Sequence, residues 1–154
     1  MAPPIGIPAI NTWLYLGASD SPATFTNPIA NVGDIAGPGL TAAVVDVTSH
    51  SALNPWREKL TTLLDGGQVT FPLFFDPGDT TSHQLLLGVF AARSIREYKL
   101  RFPDGRYAGN PSADTIWFFS ASIKDFKMDA KVADVLRASI TLEVTGEPII
   151  VTAP

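Results

Sequence analysis

The sequence predicts an α+β domain that is mainly antiparallel β, arranged as a β-sandwich or partly closed barrel with one flanking α-helix. Apolar and polar residues alternate with period two in several separate stretches, as strands with one buried face do. Only one stretch shows convincing helical spacing. Gly and Pro, 12 and 13 residues of the 154, recur between the stretches as turn punctuation.

The clearest strand spans 135–145. Leu136, Ala138, Ile140, Leu142 and Val144 point one way, and Arg137, Ser139, Thr141, Glu143 and Thr145 the other. Gly146 and Pro148 are read as an interruption before a short last strand at 149–151. Residues 12–17 alternate Trp13 and Tyr15 against Leu14 and Leu16, and 41–48 are rich in β-branched residues. Over 68–75, Val69, Phe71, Leu73 and Phe75 share a face; Pro72 lacks an N–H and places this strand at an edge or bulge. Residues 96–102 set Tyr98, Leu100 and Phe102 against Glu97, Lys99 and Arg101, and 115–123 align Trp117, Phe119, Ala121 and Ile123. The helix is expected over about 81–93, where Thr81 and Gln84 fit a capping box and Leu86, Val89, Phe90 and Arg93 follow at helical spacing. A second short helical turn is expected within 54–64, with Pro55 near its start and Gly66-Gly67 as its stop. The segments 18–40, 49–67 and 103–114 read as long loops, and loops of this length usually have a function.

One domain is expected over 1–154, with a Pro/Gly-rich N-terminal segment and loop over 1–40 and the sandwich core over 41–154. The charged fraction, 17%, is low against an ordinary ~25%. It leaves much neutral surface of the kind a partner covers. The net charge of −4 argues against a protein that coats nucleic acid. The absence of cysteine excludes disulfides, thiolate metal sites and a cysteine nucleophile. No stretch reaches the ~18 apolar residues of a membrane helix, and the first residues lack the pattern of a signal peptide. These features give a soluble, intracellular or assembled protein as the expectation.

No catalytic constellation emerges. Gly37-Pro38-Gly39-Leu40-Thr41-Ala42 matches G-x-G-x-x-A only formally, because a strand follows it where a helix is needed; a tight turn explains it better. Ser49, His50 and Ser51 near Asp46 read as a polar strand-end loop rather than a triad. His83 is expected to be solvated or to cap the helix. Asp76-Pro77-Gly78-Asp79 could hold calcium weakly or simply turn the chain into the helix. Arg93, Arg96, Lys99, Arg101 and Arg106 form a basic cluster, read as a solvated or ion-pairing strand face between subunits. The charges of 124–131 read as a hairpin tip, solvated or in contact with another subunit. The sequence assigns no catalytic residue, cofactor or metal.

The order of the motifs nevertheless resembles a known family. Residues 44–51 (VVDVTSHS) are followed by 56–60 (WREKL), 64–71 (LDGGQVTF) and 75–77 (FDP); 118–123 (FFSASI), 133–136, 139–142 and 145–148 (TGEP) complete the series. Over residues 40–150 this is similar to the tail tube, or major tail, protein of long-tailed, non-contractile (siphovirus-like) phages. The resemblance implies a β-sandwich with a flanking helix. It implies sixfold rings whose inner sheets join into one barrel and stack into a hollow tube in the virion tail, made in the bacterial host's cytoplasm. The implied partners are further copies of the chain, a tape-measure protein, a tail terminator and double-stranded DNA passing through without sequence-specific binding. No membrane insertion is implied.

On this reading His50, Trp56, Arg57, Glu58 and Lys59 are candidate inter-ring or inter-subunit contacts within 49–67, with Trp56 as the aromatic anchor. The alternative is that Trp56 caps its own core. Strands 115–127 and 132–145, carrying Lys124, Lys127, Arg137 and Glu143, are candidates for the lumen wall. An acidic or neutral lumen would let phosphates slide. Other readings are a ring-forming terminator, the tube of a phage-derived particle or secretion system, or a ligand-binding sandwich using Trp13, Trp56 or Trp117.

Overall fold

The computed structural model describes residues 9–18, 24–51, 53–107 and 109–152. Strands β1 (Trp13–Leu16), β2 (Asn27–Pro28), β5 (Gln68–Phe74), β6 (Ile95–Arg101), β7 (Ile116–Asp129) and β8 (Arg137–Val151) form one open antiparallel sheet in the order β2-β1-β6-β7-β8-β5. Strands β3 (Thr41–Asp46) and β4 (Lys59–Asp65) form a separate two-stranded hairpin. Helix α1 (His83–Ala92) flanks the large sheet, and a one-turn helix α2 (Asp104–Tyr107) and a 3-10 turn (Pro111–Ala113) fold the 103–114 segment. The expected class therefore holds: antiparallel sheet with one main flanking helix.

Alternation decides which face is buried. Leu14 and Leu16, Val69, Phe71 and Leu73, Tyr98 and Leu100, Phe119 and Ala121, and Ala138, Ile140 and Leu142 all sink into one core with Leu86 and Val89 of α1. Pro72 sits at the margin as its missing N–H requires, since β5 is the last strand of the sheet. That margin is not bare. Gly33 N–H donates to Pro72 O at 2.8 Å, Phe74 N–H to Asn31 O at 3.0 Å, and Ala36 and Thr70 exchange backbone bonds. An irregular segment thus blocks the edge against pairing with other chains.

Tyr98 is fully buried, stacked on Phe119 at 5.7 Å, and its hydroxyl has no hydrogen-bond partner among the described residues. Burial pushes its ionisation above the usual phenol range. A buried hydroxyl without a partner costs about 1 kcal/mol or more. Tyr98→Phe is therefore expected to raise the unfolding free energy by about 1 kcal/mol; a loss in chemical denaturation would show that the hydroxyl is satisfied in solution.

Several expectations are corrected. Residues 54–64 do not form a helical turn: 59–65 are strand β4, paired from Asp46↔Lys59 to Thr41↔Asp65. No face of this segment is buried, so no helical stripe is rewarded, and cross-strand bonds to β3 satisfy the backbone instead. Strand β8 is also continuous through Gly146 and Pro148. Three of its residues (146–148) oppose Phe119 alone between the pairs Ser120↔Thr145 and Phe118↔Ile149, a bulge made possible by Gly146 at φ 78°. The two strands expected over 115–127 and 132–145 run over 116–129 and 137–151, with 130–136 as the turn between them.

The helix start differs too. The Thr81–Gln84 box does not form. Asp79 accepts from the backbone N–H and hydroxyl of both Thr81 and Ser82, while Gln84 Nε2 donates to Pro77 O. The hydroxyls of Ser82 and Thr81 hold the Asp79 carboxyl well below its usual range. A depressed folded-state pKa contributes stability that is complete above the unfolded value, near 3.8, and is lost as pH falls below it. Asp79→Ala is expected to cost about 1–2 kcal/mol at pH 7. The gap to the parent protein should narrow steadily as melts are taken from pH 5 down to pH 2; a gap independent of pH would contradict this origin.

His83 is buried, not solvated. Asp76 N–H donates to its Nδ1 at 2.9 Å, and Nε2 lies 2.8 Å from Ala30 O. Its ring stacks on Phe75 and ties three segments together. The basic cluster is largely engaged within its own chain. Arg96 donates to Gly17 O, Lys99 lies 4.2 Å from the Tyr15 ring centroid, and Arg101 pairs with Asp114 at 2.8 Å. The Arg106 side chain lies outside the described residues.

Candidate functional site

The β3–β4 hairpin is an arm. Every described residue from 39 to 65 is exposed, and the exposed set includes Val44, Val45, Leu60, Leu63 and Leu64. Leu63 and Leu64 are adjacent and face opposite sides, so apolar side chains line both faces of the arm. An isolated two-stranded hairpin is marginal in water. Here the arm is closed by polar bonds near its tip. Asp46 accepts from the N–H and hydroxyl of Thr48, Glu58 N–H donates to Thr48 Oγ1 at 2.8 Å, and Val47 N–H to Glu58 O at 2.9 Å. The Thr48 hydroxyl and amide lower the Asp46 pKa.

The arm brings together every candidate contact residue. His50 lies in the exposed turn, Arg57 Nη1 stands 3.9 Å from Asp46 Oδ2, and Glu58 immediately precedes Lys59, the first residue of β4. Trp56 is 76% exposed, so it does not cap its own core.

The second set lies on the β7–β8 ribbon, on the face opposite the core. Lys124 Nζ stands 3.7 Å from Glu143 Oε2, which also accepts from Gln68 Nε2 at 2.8 Å. Arg137 pairs with Asp134 at 3.3 Å and lies over the Phe74 ring, and Lys127 is exposed beside Ser139. The Val135 N–H, with Arg137 nearby, lowers the Asp134 pKa. This face is polar and of mixed charge.

The arm leaves the body through a crossing of glycines that the sequence reads as a tight turn at 37–42 and a helix stop at Gly66-Gly67. Gly67 adopts φ +69° with its α-carbon against Gly39 O, and Gly37 adopts φ +104° against Gln68 O. Beside it lies a groove of about 820 Å³ lined by Leu40, Leu64, Trp117, Val144 and Ile150. Among the described residues no cluster of His, Asp or Glu is placed to hold a metal, and Asp76 and Asp79 use their oxygens on the turn. No described helix is long and apolar enough to cross a membrane.

Among the described residues the arm is bare on both faces, and apolar surface of this kind is what partner chains cover. The chain belongs to the lambda phage tail tube protein family, whose family model matches residues 13–151. Among curated protein sequences no relative matches it. Solved structures share its fold. The sheath/tube terminator of an extracellular contractile injection system has a TM-score of 0.72 at 14% identity, covering 98% of this chain and 100% of that one. A chain from the virion of a native gene transfer agent particle has a TM-score of 0.66 at 15% identity, covering 96% and 100%. A chain from the C6-symmetric tail of an empty gene transfer agent particle has a TM-score of 0.67 at 15% identity, covering 90% and 96%.

Proposed function

We propose that this chain is the structural subunit of a phage tail tube, self-assembling into stacked sixfold rings around a hollow conduit. The observation that carries the reading is the family match over residues 13–151, joined to an arm whose apolar faces no described residue of its own chain covers. A ring of identical copies needs a donor surface and a different acceptor surface on each copy. The arm, with Trp56 beside its tip, is the donor; it contacts a neighbouring subunit or ring. The polar face of β7 and β8 lines the lumen, DNA passes along it without base-specific contact, and a tape-measure protein occupies it beforehand. A tail terminator ends the stack. The role is structural rather than enzymatic.

Negative-stain electron microscopy of the purified protein at low and high concentration tests this. Hollow rings or tubes are the expected result; small monodisperse particles at every concentration, even with tape-measure protein added, would sink the reading. Placement of Glu143 in the lumen has its own test. Glu143→Lys removes a repulsive charge and adds an attractive one, so particles carrying it should eject DNA more slowly. Unchanged ejection kinetics in particles of normal morphology would move Glu143 out of the lumen.

A further inference from the structure

We infer that residues 27–36 form a belt that seals both edges of the large sheet, and that the belt stays shut when copies assemble. Neighbouring copies then join through side chains and not by adding strands to β1 or β5. The assembly half of this inference rests on the tube reading.

The belt starts on one edge and ends on the other. On the β1 side, Asn27 and Pro28 pair with Leu16 and Tyr15, and Ile29 N–H donates to Leu14 O at 2.8 Å. On the β5 side, Asn31 O accepts from Phe74 N–H at 3.0 Å, Gly33 N–H donates to Pro72 O at 2.8 Å, and Ala36 and Thr70 exchange bonds of 2.9 and 2.8 Å. Ala30 alone separates the two sets. The steps from Ile29 to Asn31 span at most ~7 Å, so the first and last strands are drawn toward one another across this residue.

Ala30 has no strand to pair with, and the start of α1 holds it instead. Its N–H donates to Ser82 Oγ at 3.4 Å, and its carbonyl lies 2.8 Å from His83 Nε2. Asp76 N–H donates to Nδ1 of the same ring, so the ring proton sits on Nε2 and is given to Ala30 O. Ser82 and His83 are both buried, and Asp79 holds Ser82 in turn. The helix start is thus the clasp of the belt.

Within β5 the backbone groups of Thr70, Pro72 and Phe74 face the belt, while those of Phe71 and Leu73 face β8. Pro72 offers only its carbonyl, and Gly33 takes it. The belt sits flush on the strand: a Cβ added at Gly33 would stand 3.1 Å from Pro72 Cγ. Ile29 is 2% exposed, and Val32 and Ile35 pack against the same core. A strand from another copy could replace the hydrogen bonds. Lifting the belt would also drive Ile29 into water and leave Ser82 and His83 without Ala30. The exchange is a net loss, so both margins meet other copies as closed surfaces.

The absence of native cysteine allows a lock. Ala36 and Thr70 exchange both backbone bonds, a pairing that sets Cα atoms about 5.5 Å apart, within reach of a disulfide. Neither belongs to the core. A chain carrying Ala36→Cys and Thr70→Cys should oxidise as a monomer. The oxidised chain should then form rings and tubes at wild-type concentrations, unchanged by reducing agent. Failure to oxidise would show that the belt does not sit on β5, and an oxidised chain that assembles only once reduced would show that the belt must open; either overturns the inference. Should the reduced pair itself not assemble, Val32→Cys with Leu73→Cys locks the belt at its other bridge and decides in the same way. In hydrogen exchange on the monomer, His83→Ala should quicken the Thr70 and Phe74 amides more than those of Phe71 and Leu73. Equal acceleration would mean that the ring is no clasp. A wild-type chain that forms neither rings nor tubes overturns the tube reading and the assembly half with it, while oxidation and exchange still decide the belt.

Discussion

Trp56→Ala is expected to stop tube growth while leaving the folded monomer untouched. The side chain is 76% exposed and touches none of the core, so its loss should change unfolding free energy by no more than about 0.5 kcal/mol. Its value would lie in a contact with another copy. A buried tryptophan anchor is commonly worth ~2 kcal/mol or more, roughly a thirtyfold change in the affinity of one contact. A ring repeats that contact at every subunit, so the effect on adding a ring compounds. The expected result is a monomer of normal melting temperature with no tubes at concentrations where the parent protein polymerises. A variant that melts much earlier would mean that Trp56 supports its own fold. Normal tubes would remove it from the interface. Arg57→Ala serves as the comparison: its pair with Asp46 is wide, at 3.9 Å, and exposed, so a smaller effect is expected.

The sheet was legible where burial is one-sided. In β8 the register of Ala138, Ile140 and Leu142 could be read directly, because only one face meets the core and a one-residue slip would expose all three. The arm was legible only in half. β3 has β-branched residues, but in β4 the run Leu60, Leu63, Leu64 fits a helical stripe as well as a strand, and no buried face exists to decide between them. Its pairing comes from the tip network of Asp46, Thr48 and Glu58, a set of tertiary bonds that no periodicity encodes. His83 was misplaced for a similar reason. Helical position puts it in a first turn, but only the fold brings Ala30 O within 2.8 Å of its ring. For the candidate site, the residue series located the arm and Trp56, while the groove beside it depends on Gly146 letting β8 run on to Ile150. The adjacent Leu63 and Leu64, neither of which a soluble monomer gains by exposing, were the sequence feature that could have marked β4 as a candidate interface.

Gly67→Ala is expected to be severely destabilising, as is Gly37→Ala on the facing path of the same crossing. Gly67 ends the arm's return path into β5, its N–H donates to Asp65 Oδ1 at 2.9 Å, and its carbonyl accepts from Val144 N–H at 3.0 Å. It therefore joins the arm to β8 as well as to β5. An added Cβ would lie 2.1 Å from Gly39 O, a backbone atom of the outgoing path that has no side chain to swing aside, and φ +69° adds its own penalty. Together these should cost about 3–5 kcal/mol, lowering the melting temperature by about 10 °C in a protein of this size. Gly146→Ala separates the two terms. Gly146 has nearly the same conformation, φ +78°, but nothing within 4 Å of the added Cβ, so only the conformational cost of ~1 kcal/mol applies. If Gly67→Ala proves as mild as Gly146→Ala, the crossing yields and does not fix the arm. If it is severe, the surviving folded protein should also assemble poorly, because the only relief open to the backbone is to part the arm's two paths at their root. The direction in which the arm leaves the body, and so the neighbour it can reach, is then set by the absence of a single carbon atom.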